Sequence, residues 1–294
     1  LQVMSRVKTI ARWLAPVSAG VLFVIADFSG MERQAAVTLG IAWLTATWWM
    51  TEAVPIPVAS LVPIALLPLF GVLPAKTAVA QSYGHPLVLL LLGGFLLSKG
   101  MEKSGVHRRI ALSMIQACGG GGGKGLILGF MLAAAALSMW ISNTATTLML
   151  LPIALAVLSG SKDSAKLAPP LMMGVAYAAN IGGLGSPIGT PPNLVFIEQY
   201  AQITGRTIGF TEWMSYGVPI VIIMIPLMWL WLSRSLKGGE QIELPETGPW
   251  QAAERRTLIV FGLTALAWMT RSEPFGGWKA WCHLPGANDA SVAF

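Results

Sequence analysis

The chain has 294 residues, of which 54% are hydrophobic and only 11% are charged, and its mean hydropathy is +0.66. Soluble domains carry about 25% charged residues, so this composition excludes an ordinary soluble protein and predicts an all-α polytopic membrane protein. The net charge of +6 comes from basic residues that flank apolar segments, so no nucleic-acid partner is expected. Two distant cysteines and three scattered histidines form no metal or redox motif, and no cofactor is expected.

The apolar segments predict about seven membrane spans and one re-entrant helical hairpin. In chain order, the spans are expected at residues 13–29, 35–50, 54–73, 78–98, 169–200, 216–233 and 257–270. Residues 99–119 mix basic and apolar side chains, a pattern that is typical of an amphipathic helix lying at the membrane interface.

The hairpin is expected at residues 125–158, where Ser142, Asn143 and Thr144 interrupt a long apolar run. Residues 145–158 number 14, whereas a full span needs about 20. This segment is therefore predicted to enter the membrane and to return on the same side, with Ser142–Thr144 at its tip.

A second interruption, NIGGLGSPIGTPPN at residues 180–193, lies inside the apolar stretch 169–200. From Pro169 to Ile181 the chain has 13 residues, or roughly 20 Å along a helix, which places residues 182–190 near the bilayer midplane. Broken helices at that depth are tolerated only where they are buried in protein or line a cavity, and in transporters they mark the binding site. Both breaks are thus expected at one depth and at one site.

The two breaks offer binding groups of both polarities. Ser142 or Asn143 can cap the helix that returns from the tip, and Thr190 can cap a helix that starts at Pro191. Two helix N-termini would then attract an anion. The side chains of Ser138 and Asn143, with the carbonyls of Ser142 and Gly189, would supply all-oxygen ligands for a cation.

The positive-inside rule gives an orientation. With a cytoplasmic N-terminus and a hairpin that returns to its own side, most of the 19 Lys and Arg residues fall in cytoplasmic segments. The chain is therefore expected in the plasma (inner) membrane as a multi-pass protein.

At these residues the chain resembles the divalent anion:sodium symporter family, whose members carry succinate, citrate-like carboxylates and, in some cases, sulfate. The resemblance rests on Ser142-Asn143-Thr144, on GSPIGTPPN at 185–193 about 45 residues later, and on GVHRRIAL at 105–112. It extends over the whole chain but only over the first of the family's two inverted repeats, so the chain is expected to be a fragment of a longer carrier.

The resemblance implies an elevator-type secondary transporter that couples sodium to divalent anions, most simply C4-dicarboxylates such as succinate. The substrate would contact Ser142, Asn143, Thr144, Thr190 and Pro191, and a sodium ion would contact Ser138, Ser142, Asn143 and Gly189. Residues 1–118 would form a homodimerising scaffold with the interfacial helix, residues 119–235 a transport unit, and residues 236–294 a linker and the start of the second scaffold half.

Three alternatives stay open at this point. The first is a sodium-independent dicarboxylate exchanger or a sulfate carrier of the same family. The second is a non-transporting half-length membrane subunit. The third is a membrane-embedded enzyme, which is not expected because the spans contain no cluster of histidines and no paired carboxylates.

Overall fold

The computed structural model describes residues 2–118, 122–161, 163–236, 248–272 and 276–293. Every regular element in these ranges is a helix, which confirms the all-α prediction. The chain divides into two compact units, Leu1–Val88 and Leu89–Phe294. The functional division that the resemblance placed after residue 118 stays a prediction.

The first unit is built on a close pair of helices. Its elements are α1 (Gln2–Phe28), α2 (Arg33–Thr51), α3 (Ile56–Leu69) and α4 (Ala75–Gln81). Small residues let α1 and α2 approach, since a Cβ on Gly40 would lie 3.2 Å from the Ala19 carbonyl oxygen. At one end of the pair, Lys8 forms a 2.7 Å ion pair with Glu52.

The second unit is organised around a buried helix. Its elements are α5 (Pro86–Ser104), α6 (Val106–Cys118), α7 (Gly123–Ser138), α8 (Asn143–Ser159), α9 (Ser164–Gly183), α10 (Pro191–Thr204), α11 (Phe210–Ser233), α12 (Ala252–Met269), α13 (Gly277–Trp281) and α14 (Asp289–Ala293). Helix α7 packs on α6, α9 and α11, and most of its residues from Leu126 to Ser138 are buried. Gly182 lets α9 approach α7 closely, because a Cβ at this position would overlap the Ala135 backbone.

Two predicted boundaries are wrong. The span expected at 78–98 is divided between Gln81 and Pro86, because a proline has no N–H with which to continue a helix from α4. The interfacial helix expected at 99–119 begins only at Val106, since α5 continues to Ser104 and Gly105 takes a φ of +78° that ends it. Part of the predicted linker, residues 237–247, lies outside the described residues.

By length and composition, two described helices can cross a membrane: Arg6–Phe28 within α1, and α11. A third is added if α4 and α5 together form one broken span. Helices α7 and α8 are apolar but have 16 and 17 residues, fewer than the roughly 20 that a full crossing needs. The predicted count of about seven spans is not confirmed and stays a prediction.

A nearly buried arginine joins the amphipathic helix α6 to the segment that leads into α12. The Nε of Arg109 donates to both carboxylate oxygens of Glu254 at 3.1 Å. Its two terminal nitrogens donate to the carbonyls of Gly248 and Pro249, and the guanidinium stacks 4.7 Å from the ring centre of Trp250. The hydrogen bonds that Arg109 donates to the Glu254 carboxylate lower the pKa of Glu254, and the hydrogen bond from the Gln251 backbone N–H lowers it further.

Candidate functional site

The first break is a tight turn between two helices. Helix α7 ends at Ser138 and α8 begins at Asn143, with Ser142 in the N-cap position. The Ser142 hydroxyl accepts a hydrogen bond from the Ala145 N–H at 3.3 Å, as expected for a serine cap. The remaining N–H groups of the first turn of α8 carry the positive end of its dipole at the tip.

Asn143 is the centre of a polar network that joins three helices. Its Oδ1 accepts a hydrogen bond from the Ser138 hydroxyl at 2.7 Å, and its Nδ2 donates to Oδ1 of Asn180 on α9 at 3.0 Å. Ser138 is fully buried. A Cβ on Gly183 would lie only 2.6 Å from the Asn143 Oδ1, so the glycine lets α9 approach this amide.

The second break, residues 184–190, separates α9 from α10. It is held by Asn193, which is 3% exposed and donates through Nδ2 to the carbonyls of Gly183 and Ser186, both at 2.8 Å. The end of α9 would otherwise carry unpaired carbonyls. Gly189 lies against Gly183, where a Cβ would be 2.5 Å from the Gly183 carbonyl oxygen.

The two breaks touch each other. The fully buried hydroxyl of Ser186 donates to the carbonyl of Met139 in the hairpin turn, and Gly185 packs on the Met139 side chain. Helix α11 holds the second break from another side, because Trp213 donates through its indole N–H to the Leu184 carbonyl at 2.9 Å. The two breaks are thus in contact, and that they form one binding site stays a prediction.

The structure brings together part of the predicted site. Ser138 and Asn143 are hydrogen-bonded, Ser142 caps the adjoining helix, and Gly189 adjoins the same network through Gly183. Thr190 occupies the N-cap position of α10 with Pro191 as the first helical residue, but the Thr190 side chain makes no capping bond. Thr144 and Pro191 are exposed. Among the described residues no side-chain hydrogen bond joins Thr144 or Thr190 to the network, although the Thr190 carbonyl accepts a hydrogen bond from the Asn193 N–H at 3.1 Å.

The chemistry of this cluster is that of neutral oxygen and amide groups. The described residues contain no group of three or more His, Cys, Asp or Glu that could hold a transition metal. Hydroxyl, amide and carbonyl oxygens suit hard cations, and they lie here at the carbonyl ends of α7 and α9. The N-termini of α8 and α10 carry the opposite partial charge. The arrangement can therefore accept a small cation and an anion side by side.

Three polar residues of the network were not singled out from the sequence: Asn180, Ser186 and Asn193. All three lie in the segment 180–193 that drew attention for its glycines and prolines. An amide inside an apolar, glycine-rich stretch was the available signal, because such a side chain must find a partner when buried.

A buried hydroxyl near the tip has no partner. Oγ1 of Thr146, on α8 one turn beyond Asn143, makes no hydrogen bond within the described part of the chain, and the residue is fully buried. Residues three apart lie on the same helix face, so this hydroxyl follows Asn143 on that face.

Comparison with known proteins gives one family and a set of relatives. A family model described as "Citrate transporter" matches residues 46–280. The chain is 36% identical over 284 residues to the Sodium-dependent dicarboxylate transporter SdcS of Staphylococcus saprophyticus, and the matched region covers 90% of this chain and 54% of that protein. It is 38% identical over 265 residues to the Sodium-dependent dicarboxylate transporter SdcS of Staphylococcus aureus, and the matched region covers 83% of this chain and 50% of that protein.

The chain spans about half the length of the curated relatives that it matches. The matched family and these relatives are transporters and not enzymes. The prediction that the chain is not an enzyme is thereby confirmed.

Proposed function

Since this chain belongs to the citrate transporter family, we propose that it forms part of a sodium-coupled symporter for divalent anions, with C4-dicarboxylates such as succinate as substrates. The resemblance to the divalent anion:sodium symporters is confirmed by this membership and by relatives that are named sodium-dependent dicarboxylate transporters. The chain is a membrane protein, as its family and its apolar helices indicate. Our proposal places it in the plasma (inner) membrane with a cytoplasmic N-terminus, for which the distribution of basic residues is the support.

The observation that carries the proposal is the polar network around Asn143, at the contact of two helix breaks. In our proposal one sodium ion binds between the carbonyl ends of α7 and α9. Its ligands are the side-chain oxygens of Ser138 and Asn143 and the carbonyl oxygens of Ser142 and Gly189. The 2.7 Å bond between Ser138 and Asn143 supports this assignment, because it places the two oxygens side by side, close enough to contact one ion.

The dicarboxylate binds next to this ion at the N-termini of α8 and α10. Its carboxylates accept hydrogen bonds from the Asn143 amide, from the hydroxyls of Ser142, Thr144 and Thr190, and from free N–H groups of the first turn of α8. Pro191 and Pro192 have no N–H, so the start of α10 beside Pro191 contributes the positive end of its dipole. The exposure of Thr144 and Pro191 supports access from solvent. Because sodium would order the tip to which the anion binds, each ligand should raise the affinity for the other by the same factor.

Transport would follow an elevator-like motion of a rigid body. Helices α7 and α9 meet through glycine and alanine at backbone distance, and Ser186 ties the second break to the hairpin turn. Such close packing allows little sliding, so we propose that the re-entrant hairpin and the broken helix move together against a homodimeric scaffold.

The experiment is uptake of labelled succinate by the complete gene product that contains this chain, reconstituted into proteoliposomes with an inward sodium gradient. Asn143→Ala should abolish sodium-coupled uptake and leave the protein folded. The matched control is Gln199→Ala, which removes an exposed amide from α10 and should transport normally. Unchanged uptake and unchanged sodium affinity in Asn143→Ala would contradict the site assignment.

The same assay separates the alternatives within the family. A sodium-independent exchanger would take up succinate equally well in choline, provided that a dicarboxylate is present inside the vesicles. A sulfate carrier would show competition by sulfate and weak competition by succinate. A non-transporting subunit would show no uptake in either medium.

A further inference from the structure

A cavity of about 450 Å³ separates α5 from α12 within the second unit. Its α5 wall is formed by residues at a helical spacing of three to four, and so is its α12 wall. The principal lining residues are Gly93, Leu97 and Gly100 on α5 and Arg256, Val260 and Thr264 on α12. Residues 256 and 264 are eight positions apart, so the cavity runs for about 12 Å along α12.

The shape of the cavity follows from its glycines. A Cβ on Gly100 would have only Cγ2 of Thr257 within 4.0 Å, so the two helices approach here and still leave free space beside the glycine. At the other end, a Cβ on Gly93 would overlap Ala293 of α14, so α14 closes that end. The space between is a groove with mostly apolar walls.

The open end of the groove is basic. Arg256 begins the α12 wall, and Lys103 lies one turn beyond Gly100 on the same face of α5. Both are exposed, as is Arg255, and none of the three has an ion-pair partner in the ranges that the structure describes. The carboxylates that adjoin these residues in the sequence are already paired, since Glu102 binds Lys99 at 2.7 Å and Glu254 binds Arg109 at 3.0 Å.

We propose that this groove binds one anionic phospholipid. Its phosphate lies between Lys103 and Arg256, and an acyl chain lies along Leu97, Val260 and Thr264 toward α14. The groove joins a cationic end to an apolar length, which fits an amphiphile with an anionic head, and basic pockets between membrane helices commonly hold such head groups. A small dianion would leave the apolar length empty, and a zwitterionic lipid would leave the positive charge unbalanced.

The test measures lipid binding to the purified, delipidated complete gene product by native mass spectrometry, so it does not depend on transport. The probes are phosphatidylglycerol, phosphatidylcholine of the same chain length, and glycerol 3-phosphate, which has the head group without acyl chains. One Lys or Arg near an anionic lipid contributes about 1 kcal/mol, so Arg256→Gln and Lys103→Gln should each weaken phosphatidylglycerol binding about fivefold. Gly100→Leu should block the groove and weaken binding without removing a charge.

The matched control is Arg108→Gln, which removes from α6 an exposed arginine that has no ion-pair partner among the described residues. The proposal predicts tight binding of phosphatidylglycerol over both other probes, with Arg108→Gln unchanged. Equal losses in Arg108→Gln and Arg256→Gln would overturn it, since they would show diffuse surface attraction. Equal binding of phosphatidylcholine or of glycerol 3-phosphate would overturn it too, as would undiminished binding to Gly100→Leu.

Discussion

The side chain of Asn193 should stabilise the second break, as that of Asn143 should stabilise the first. Its single Nδ2 donates to two carbonyls, those of Gly183 and Ser186, and it is nearly buried. Asn193→Leu keeps a side chain of similar length and removes both bonds. A neutral hydrogen bond contributes about 0.5–1.5 kcal/mol, and a buried group that is left unpaired costs about 1–3 kcal/mol. We therefore expect a loss of about 2 kcal/mol in the free energy of unfolding.

For a folding unit of 150–250 residues, 1 kcal/mol shifts the melting temperature by about 2–4 °C. The second unit, Leu89–Phe294, is in this range, so Asn193→Leu should melt about 4–8 °C lower. The bonds also fix the loop that carries Gly189, a proposed sodium ligand. If 1 kcal/mol of the loss falls on the sodium-bound state, the sodium concentration for half-maximal uptake should rise about fivefold.

The assay compares thermal unfolding of the purified complete protein and sodium titrations of uptake. The matched control is Gln199→Leu, an amide-to-leucine change at an exposed position of the same helix. If Asn193→Leu melts at the temperature of the control and has the same sodium dependence, Asn193 does not hold the break.

Three further predictions concern stability, each measured by thermal unfolding of the complete protein. Thr146→Val should raise the melting temperature by removing a buried, unpaired hydroxyl, a gain of about 1 kcal/mol; an unchanged or lower value would mean that the hydroxyl has a partner. Arg109→Gln should destabilise at pH 7 and much less once the pH falls below the lowered pKa of Glu254, because Arg109 lowers that pKa from its ordinary 4.5, and the stabilisation is lost as pH falls through the lowered value. A loss that is independent of pH would refute this role. Gly182→Ala should cost about 1–3 kcal/mol through overlap with α7, whereas Gly262→Ala, which meets nothing within 4 Å, should be neutral or stabilising; equal effects would contradict the packing.

The sequence predicted the elements of the site better than its contacts. The run of small polar residues at Ser142–Thr144 and the Thr-Pro-Pro sequence at 190–192 are local start signals for helices, and α8 and α10 begin there. The pairing of Asn143 with Asn180 joins residues 37 positions apart. No local pattern specifies such a partner, because it depends on how α8 packs on α9.

Boundaries were less predictable for a similar reason. An apolar pattern stands on both sides of the short junction of α4 and α5, and basic and apolar residues mix on both sides of Gly105, so each segment was predicted without an interruption. The positive φ of Gly105 and the position of Pro86 as the first residue of α5 interrupt those helices. Gly105 and Pro86 were the local signals for these helix ends, and the prediction gave more weight to hydropathy than to them.

The most direct test of sodium-coupled symport is whether a sodium gradient alone drives accumulation of a dicarboxylate. Proteoliposomes that contain the complete gene product, with no dicarboxylate inside, are given labelled succinate with sodium outside only, with equal sodium on both sides, or with choline. Our proposal predicts accumulation above the outside concentration in the first condition only, followed by loss of label when the gradient is collapsed. Equal uptake in all three conditions, or uptake only after dicarboxylate is loaded inside, would contradict sodium coupling.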